Sequence, residues 1–212
     1  MRLGTGSRLL SVALAGLLAG CVSLLAGEPK HLYRVTPKST YPANLPRVGA
    51  QLLVDVPIAP AGLDTTRIAL SRSPVSLDYF ADSEWTDRAP LMVQTALLES
   101  FENSRAITAI DRESIGLRAD FILKTEVRHF EAEYSTPDGS PRIWVTLNVK
   151  LVKMPERTII AQTSVTRREQ AAANDIQSIV LAFDEALGSA MKGVVVWTVT
   201  NPSLSAPRGQ VS

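Results

Sequence analysis

The sequence predicts a single α/β domain, with α+β as the alternative class: a mixed, largely antiparallel sheet of about five to seven strands with two long amphipathic helices. Two patterns predict these elements. Residues 142–153 alternate apolar and polar side chains over twelve positions, as a half-buried strand does. Residues 176–194 place apolar side chains at helical spacing along one face. A length of 212 residues with 45% hydrophobic content allows one domain with a sizeable core and excludes a disordered chain.

Strands are predicted where apolar residues alternate with polar ones or cluster between turn residues. They fall at 31–35, 50–56, 67–71, 75–79, 120–134, 142–153 and 158–166. In segment 50–56, the side chains of Leu52, Val54 and Val56 share one face. Pro, Gly and Asp residues mark the turns at 137–140 and 154–156, so the last three segments are predicted to be consecutive antiparallel strands.

Segment 120–134 changes phase in the middle. Leu123 and Val127 are apolar at odd positions, whereas Phe130 and Ala132 are apolar at even positions. Because side chains alternate strictly along a strand, a shift of one residue requires a β-bulge, which is predicted near His129.

The first helix is predicted from residue 86 or 87 to about 104, with Asp87 as its N-cap and Pro90 in its first turn. An apolar stripe runs along it, formed by Ala89, Val93, Leu97 and Phe101. The second helix is predicted to begin after Asn174 or Asp175 and to reach about Trp197. Residues 201–212 are predicted to be a disordered tail.

The amino terminus has the order of a secretory signal: two arginines without an acidic residue, a short apolar run over 9–19, then small residues. Leu18-Ala19-Gly20-Cys21 resembles the bacterial lipobox. The resemblance implies cleavage between Gly20 and Cys21, a diacylglycerol thioether on Cys21 and an acyl group on its new amino terminus. Val22 and Ser23 follow, and the absence of Asp there implies sorting to the periplasmic face of the outer membrane.

The predicted organisation is therefore a lipoprotein signal peptide (1–20), a lipid-anchored tether (21–30), a folded domain (31–200) and the tail (201–212). Basic and acidic residues number 22 and 21, so no excess charge favours nucleic acid. One cysteine and two histidines exclude a disulfide framework or a zinc ribbon. Nucleotide-binding and hydrolase motifs do not occur in the mature chain. We expect no enzyme activity and no metal or cofactor other than the covalent lipid.

Four aromatic side chains are candidates for a partner interface. Tyr79, Phe80 and Trp85 cluster among acidic residues, and Trp144 lies on the polar side of its strand. Aromatic anchors with a polar rim are typical of protein interfaces. The alternative is structural: the first three rings close a sheet edge or a helix end, and a helix covers Trp144.

Several segments together resemble the ABC-type transport auxiliary lipoprotein family, which includes the PqiC-like lipoproteins. They are 31–35 (HLYRV), 63–65 (LDT), 67–70 (RIAL), 77–80 (LDYF), 91–94 (LMVQ) and 98–101 (LESF), with Trp85, Pro90, Phe130-Glu131, Ala182-Phe183, Ala186 and Trp197. The resemblance covers about residues 30–198. It implies an outer-membrane lipoprotein that docks the MCE-domain protein of an intermembrane lipid transport system. It provides no catalytic residue.

The expected partners are thus an MCE-domain protein, the outer membrane through the lipid anchor, and further copies of the chain in a homo-oligomer. A second hypothesis is a periplasmic lipid-binding carrier, in which sheet and helices enclose an apolar pocket. A periplasmic hydrolase is a third hypothesis, which no motif of the sequence favours.

Overall fold

Eight strands form one mixed sheet in the computed structural model, which describes residues 30–205. The strands are β1 (His31–Tyr33), β2 (Val48–Val54), β3 (Arg67–Ser71), β4 (Asp78–Trp85), β5 (Ile107–Arg112), β6 (Phe121–Glu133), β7 (Arg142–Lys153) and β8 (Thr158–Gln170). The helices in this part of the chain are α1 (Ala89–Ser104), α2 (Ile176–Val199) and the short α3 (Pro202–Ser205), with a 3-10 turn at Glu113–Ile115. The predicted fold class is confirmed, with slightly more strands than expected.

The long strand β6 organises the sheet. One of its edges pairs antiparallel with β7, which pairs antiparallel with β8. The other edge pairs in parallel with β2 at its beginning and with β3 at its end. Strand β5 adds in parallel to β2, and β4 adds antiparallel to β3. Two shorter strands thus share one edge of β6, and a thirteen-residue strand is needed to span both.

The predicted bulge in β6 is confirmed. The pairing of β6 with β7 shifts between Val127 and His129. Val127 and Phe130 are both buried, three positions apart, which a regular strand would place on opposite faces. The bulge keeps the apolar side chains of both halves of β6 in the same core, as the phase change in the sequence required.

The helices cover one face of the sheet, with α2 packed on β7 and β8 and α1 beside α2. An aromatic cluster of Trp85, Phe130 and Phe183 lies between sheet and helix, with ring centroids 5.0–5.4 Å apart. The Asp175 carboxylate caps α2 by accepting the backbone N–H of Ser178 at 2.9 Å, as one of the two predicted caps. Among the described helices, none is long and apolar enough to cross a membrane.

The loop between β1 and β2 is held against both long helices. The backbone N–H of Lys38 donates to Ser100 Oγ at 2.9 Å, and the Tyr41 hydroxyl donates to the Ser100 carbonyl at 2.8 Å. Burial raises the pKa of Tyr41 to about 12, and the Ser100 side chain partly opposes the rise. At the other end of the loop, Thr36 is bound by Asp184 of α2.

Two predicted strands differ markedly from the structure, and a third strand was not predicted. Strand β2 ends at Val54, and Val56 lies beyond it, 40% exposed, because the chain turns away there toward β6. The second short strand is Asp78–Trp85 rather than 75–79, because residues 75–77 lie in the connection that precedes it. Strand β5 was not predicted at all: its six residues are too few to show a clear alternation, and its pairing with β2 is a tertiary effect.

Two helix termini also differ. Helix α1 begins at Ala89 without a side-chain cap, because the Asp87 carboxylate accepts the N–H of the adjacent Arg88 instead. The chain after α2 forms the turn α3, where Leu204 is 3% exposed and α3 packs on β2. The predicted tail is therefore wrong for these residues, and residues 206–212 lie outside the described part. The predicted signal peptide and Cys21 lie outside it as well.

Candidate docking site on the helix-free face

The sheet face away from the helices carries polar side chains along β6, β7 and β8. Alternation in β7 places Trp144 there, with Thr146 and Asn148, while the residues between them are buried. Trp144 therefore lies on the helix-free face. The structural alternative, in which a helix covers Trp144, is wrong. Its indole Nε1 donates to Thr146 Oγ1 at 3.0 Å, which fixes the direction of the ring.

Two neighbouring strands provide partners for the Trp144 ring. From β6, His129 stacks on it with centroids 3.5 Å apart and an interplanar angle of 8°. From β8, the Arg168 guanidinium carbon lies 4.0 Å from the indole centroid. Two groups this close to one ring centre would overlap if they shared a face. His129 and Arg168 therefore occupy opposite faces of the indole, which the two strands flank.

Two carboxylates of β6 complete this arrangement. His129 Nδ1 lies 2.9 Å from Glu131 Oε1, and the other Glu131 oxygen accepts the backbone N–H of Phe130 at 3.0 Å. Glu133 Oε2 accepts Arg168 Nη1 at 2.8 Å. The contacts form a continuous chain that starts and ends on β6. We call these residues the Trp144 cluster (Glu131, His129, Trp144, Arg168 and Glu133).

A groove of about 820 Å³ lies over the Trp144 cluster. Its opposite wall is the β3–β4 loop, residues 72–77, and Tyr134 closes one side. Burial raises the pKa of Tyr134, and the nearby positive charge of Arg72 partly opposes the rise. The Arg72 guanidinium carbon lies 5.0 Å from the Tyr134 ring centroid. The groove thus combines a Trp, a Tyr and two Arg side chains.

The four predicted interface aromatics lie in different places. Trp144 lines the groove, whereas Phe80 packs against the core, with its ring 6.5 Å from that of Tyr134. Tyr79 is half-buried: its hydroxyl donates to the Gly62 carbonyl, and Arg67 lies 3.6 Å over its ring. Trp85 is only 1% exposed and belongs to the core, which removes it from the predicted interface. For Trp85 the structural alternative is the correct one.

The other members of the Trp144 cluster were not predicted as site residues. His129 was noted only as the position of the bulge, and that bulge is what places its ring on the helix-free face. Arg168 and Glu133 lie at polar positions of predicted strands, so the register of the hairpin would have been needed to bring them beside Trp144. No such register can be read from alternation alone.

The chemistry of the groove suits binding. The two carboxylates of the cluster are engaged by His129 and Arg168, and no group of three or more His, Cys, Asp or Glu side chains in residues 30–205 could hold a metal ion. Because Trp144 is held on both faces and at its Nε1, it loses little conformational entropy when a ligand binds. The groove is a rigid surface with aromatic and guanidinium groups.

The family of the protein follows from its sequence. Residues 31–195 match the sequence model of the ABC-type transport auxiliary lipoprotein component. The chain belongs to this family. The auxiliary lipoprotein is also 31% identical over 191 residues to the uncharacterized protein bll6063 of Bradyrhizobium diazoefficiens. That alignment covers 88% of this chain and 50% of the relative, so the auxiliary lipoprotein spans about half the length of this curated relative.

Solved structures are similar to the auxiliary lipoprotein along most of its length. Protein XCC0632 of Xanthomonas campestris is 28% identical, with a TM-score of 0.74 over 79% of this chain and 94% of that one. A second crystal structure, of an uncharacterized protein, has a TM-score of 0.60 at 13% identity, over 79% of this chain and 97% of that one. The second likeness shows the fold alone. The family is one of membrane-anchored transport components and is not a known enzyme class.

Proposed function

We propose that this auxiliary lipoprotein is anchored to the periplasmic face of the outer membrane and docks the MCE-domain protein of an ABC-type system that moves lipids between the two membranes. One observation carries the proposal: the match to the transport auxiliary lipoprotein family begins at residue 31, directly after a lipobox and a short predicted tether. A lipidation site, a short tether and then a folded domain is the order expected for a binding domain that is anchored to a membrane.

The proposed mechanism is tethering. Each buried CH₂ group of an acyl chain contributes about 0.8 kcal/mol, and two chains already give stable anchoring. The lipid on Cys21 thus confines the domain to the membrane surface, which raises its effective concentration for a periplasmic partner. The domain then acts by binding, without a chemical step of its own.

Substitution of the lipidated residue tests the anchor. Cys21→Ala is expected to leave a folded domain that fractionates with soluble periplasmic proteins, whereas the wild type fractionates with membranes. Val22→Asp is the matched variant: it keeps the lipid and, by the usual sorting pattern, moves the protein to the inner membrane in a density gradient. A Cys21→Ala protein that stays fully membrane-bound would contradict tethering.

Binding to the MCE partner tests the function itself. The purified periplasmic region of the MCE-domain protein from the same genome should bind the lipoprotein, and several copies of the lipoprotein are expected in the complex. Mass photometry of the mixture measures both. If the two proteins do not associate, the docking function is wrong, whatever the location of the anchor.

The lipid-carrier hypothesis predicts a different result. Both described cavities, the groove above and a second of about 530 Å³ beside α1, are lined in part by charged side chains, including Arg168 in the first and Arg34 and Glu99 in the second. Such walls suit acyl chains poorly. Native mass spectrometry of the Cys21→Ala protein separates the hypotheses, since a carrier should retain phospholipid and a docking protein should not.

A further inference from the structure

The β3–β4 loop presents apolar side chains at the rim of the groove. Val75 is 96% exposed and Leu77 is 41% exposed, and Pro74 lies beside them in the groove wall. A single exposed aliphatic residue needs no explanation. Here, however, three apolar residues of one short loop border a groove that contains Trp, Tyr and Arg. Trp, Tyr and Arg are the residue types that contribute most of the binding energy in protein interfaces.

The charged side chains of the groove differ in whether they have a partner of opposite charge. Glu131 is engaged by His129, and Glu133 is engaged by Arg168. Among residues 30–205, Arg72 forms no ion pair with a carboxylate, and its described contact is the Tyr134 ring. A guanidinium binds a carboxylate with two parallel hydrogen bonds. The groove therefore offers one positive site next to an aliphatic rim.

From these features we infer that the groove binds an extended segment of the partner protein that carries an aliphatic side chain next to a carboxylate. The aliphatic side chain packs on Pro74, Val75 and Leu77, and the carboxylate pairs with Arg72. The Trp144 cluster forms the rigid floor beneath the segment. This inference rests on the proposed function and deepens it, because it states which surface of the lipoprotein meets the transport system and what that surface recognises.

A protein segment suits the groove better than a phospholipid. Glu131 and Glu133 already engage His129 and Arg168 on the floor, so among the residues that line the groove a phosphodiester would find no second cation beside Arg72. The apolar rim is limited to three side chains of a loop, which is enough to cover one or two aliphatic side chains. A peptide can place its carboxylate at the lip, near Arg72, and keep neutral backbone amides over the paired charges of the floor.

A double variant tests the surface. Arg72→Glu with Val75→Asp reverses the charge and replaces the most exposed aliphatic side chain of the rim with a carboxylate. The matched control is Arg118→Glu with Leu117→Asp, the same pair of changes on another exposed loop, where Leu117 is 60% exposed. Each full-length lipidated protein is placed in nanodiscs, and its dissociation constant for the periplasmic region of the MCE-domain protein is measured by biolayer interferometry.

We expect the groove variant to bind about tenfold more weakly or worse, and the control to bind within about twofold of the wild type. Hydrogen exchange of the wild-type complex should show protection at residues 72–77 and at Tyr134, which keeps the test decisive if the double variant folds poorly. Arg72→Lys should weaken binding less than Arg72→Glu, because it keeps the charge and loses only the paired hydrogen bonds.

The outcomes separate the two proposals. If the wild type binds and the groove variant binds equally well without protection of the loop, the groove assignment is wrong and the docking function stands. If the wild type does not bind, the docking function fails and the groove assignment fails with it. If instead the Cys21→Ala protein sediments with phosphatidylglycerol vesicles and the same protein with the two groove substitutions does not, the surface recognises lipid, and the assignment to a protein segment is overturned.

Discussion

The Asp184 carboxylate on α2 accepts hydrogen bonds from both the backbone N–H and the Oγ1 hydroxyl of Thr36, 148 positions earlier in the chain. These bonds fix the start of the loop that crosses α1 and α2. The next residue, Glu185, is also acidic, but its carboxylate accepts the Ser189 hydroxyl one turn further along α2 at 3.1 Å and lies 3.9 Å from Lys38 Nζ. Of these two adjacent carboxylates, only that of Asp184 fixes a distant segment of the chain through short hydrogen bonds.

We predict that Asp184→Ala lowers the free energy of unfolding by about 1.5 kcal/mol, since it removes charge-assisted hydrogen bonds that join distant segments. Glu185→Ala should change it by less than about 0.5 kcal/mol, as expected for an exposed ion pair. Urea denaturation gives both values. Faster hydrogen exchange at the Thr36 amide should accompany only the first variant, and equal effects of the two substitutions would contradict the assignment.

Truncation of Trp85 should cost much more stability than truncation of Trp144. Trp85→Ala creates a cavity among Phe130 and Phe183 and is expected to cost about 3–5 kcal/mol. Trp144→Ala removes an indole from a solvent-facing groove and should cost only about 1 kcal/mol, the loss of its cation–π and stacking contacts. Thermal and urea unfolding of both variants measure the difference. A large loss for Trp144 would mean that the cluster is part of the core.

Local patterns in the sequence predict much of this fold. Strand β7, both long helices and the bulge at His129 follow from periodicity, because each element is long enough to show a phase or a change of phase. Strand β8 was placed at 158–166 by the turn before it, and the structure extends it to Gln170. The unpredicted strand β5 has six residues, and its partner β2 lies more than fifty positions earlier. Its strand character comes from that pairing, which no local window contains.

The candidate site shows the same limit. Trp144 is identified by its place on the polar side of an alternating strand. The partners that hold it come from β6 and β8, and their alignment depends on hairpin register and on the bulge. Trp85 is assigned wrongly for the converse reason: acidic neighbours suggest a surface, but the end of β4 leads under α2. Composition around a residue does not report its burial.

Alkaline pH should expose the buried hydroxyl of Tyr41. Its pKa is raised to about 12 by burial, so the folded protein holds this proton more tightly than the unfolded chain, whose tyrosines titrate near 10. The stabilisation is complete below about pH 10 and is lost as the pH rises toward 12. Tyr41→Phe should cost about 1 kcal/mol at neutral pH, because the Ser100 carbonyl loses its donor.

The same variant should lose less stability than the wild type between about pH 10 and pH 12, because it has no proton to release at this position. Urea unfolding at several pH values tests this, and tyrosinate absorbance shows which titration step disappears. Parallel alkaline losses in both proteins would show that the Tyr41 proton is not linked to folding.

Acid should act through the cap of α2. Hydrogen bonds from the backbone N–H and the hydroxyl of Ser178 lower the pKa of Asp175 below its ordinary value. The cap therefore stabilises the fold above the unfolded pKa, near 4, and this contribution is lost as the pH falls through the lower folded value. Asp175→Asn keeps a side-chain oxygen that can accept the same N–H but does not titrate.

At neutral pH, Asp175→Asn should unfold at nearly the wild-type temperature, whereas Asp175→Ala should unfold at a lower one because the first turn of α2 loses its acceptor. Below about pH 4 the wild type should lose stability relative to Asp175→Asn and approach Asp175→Ala. Melting temperatures of the three proteins across this range test the prediction. If the wild type and Asp175→Asn respond alike to acid, the charge on Asp175 does not contribute to the cap.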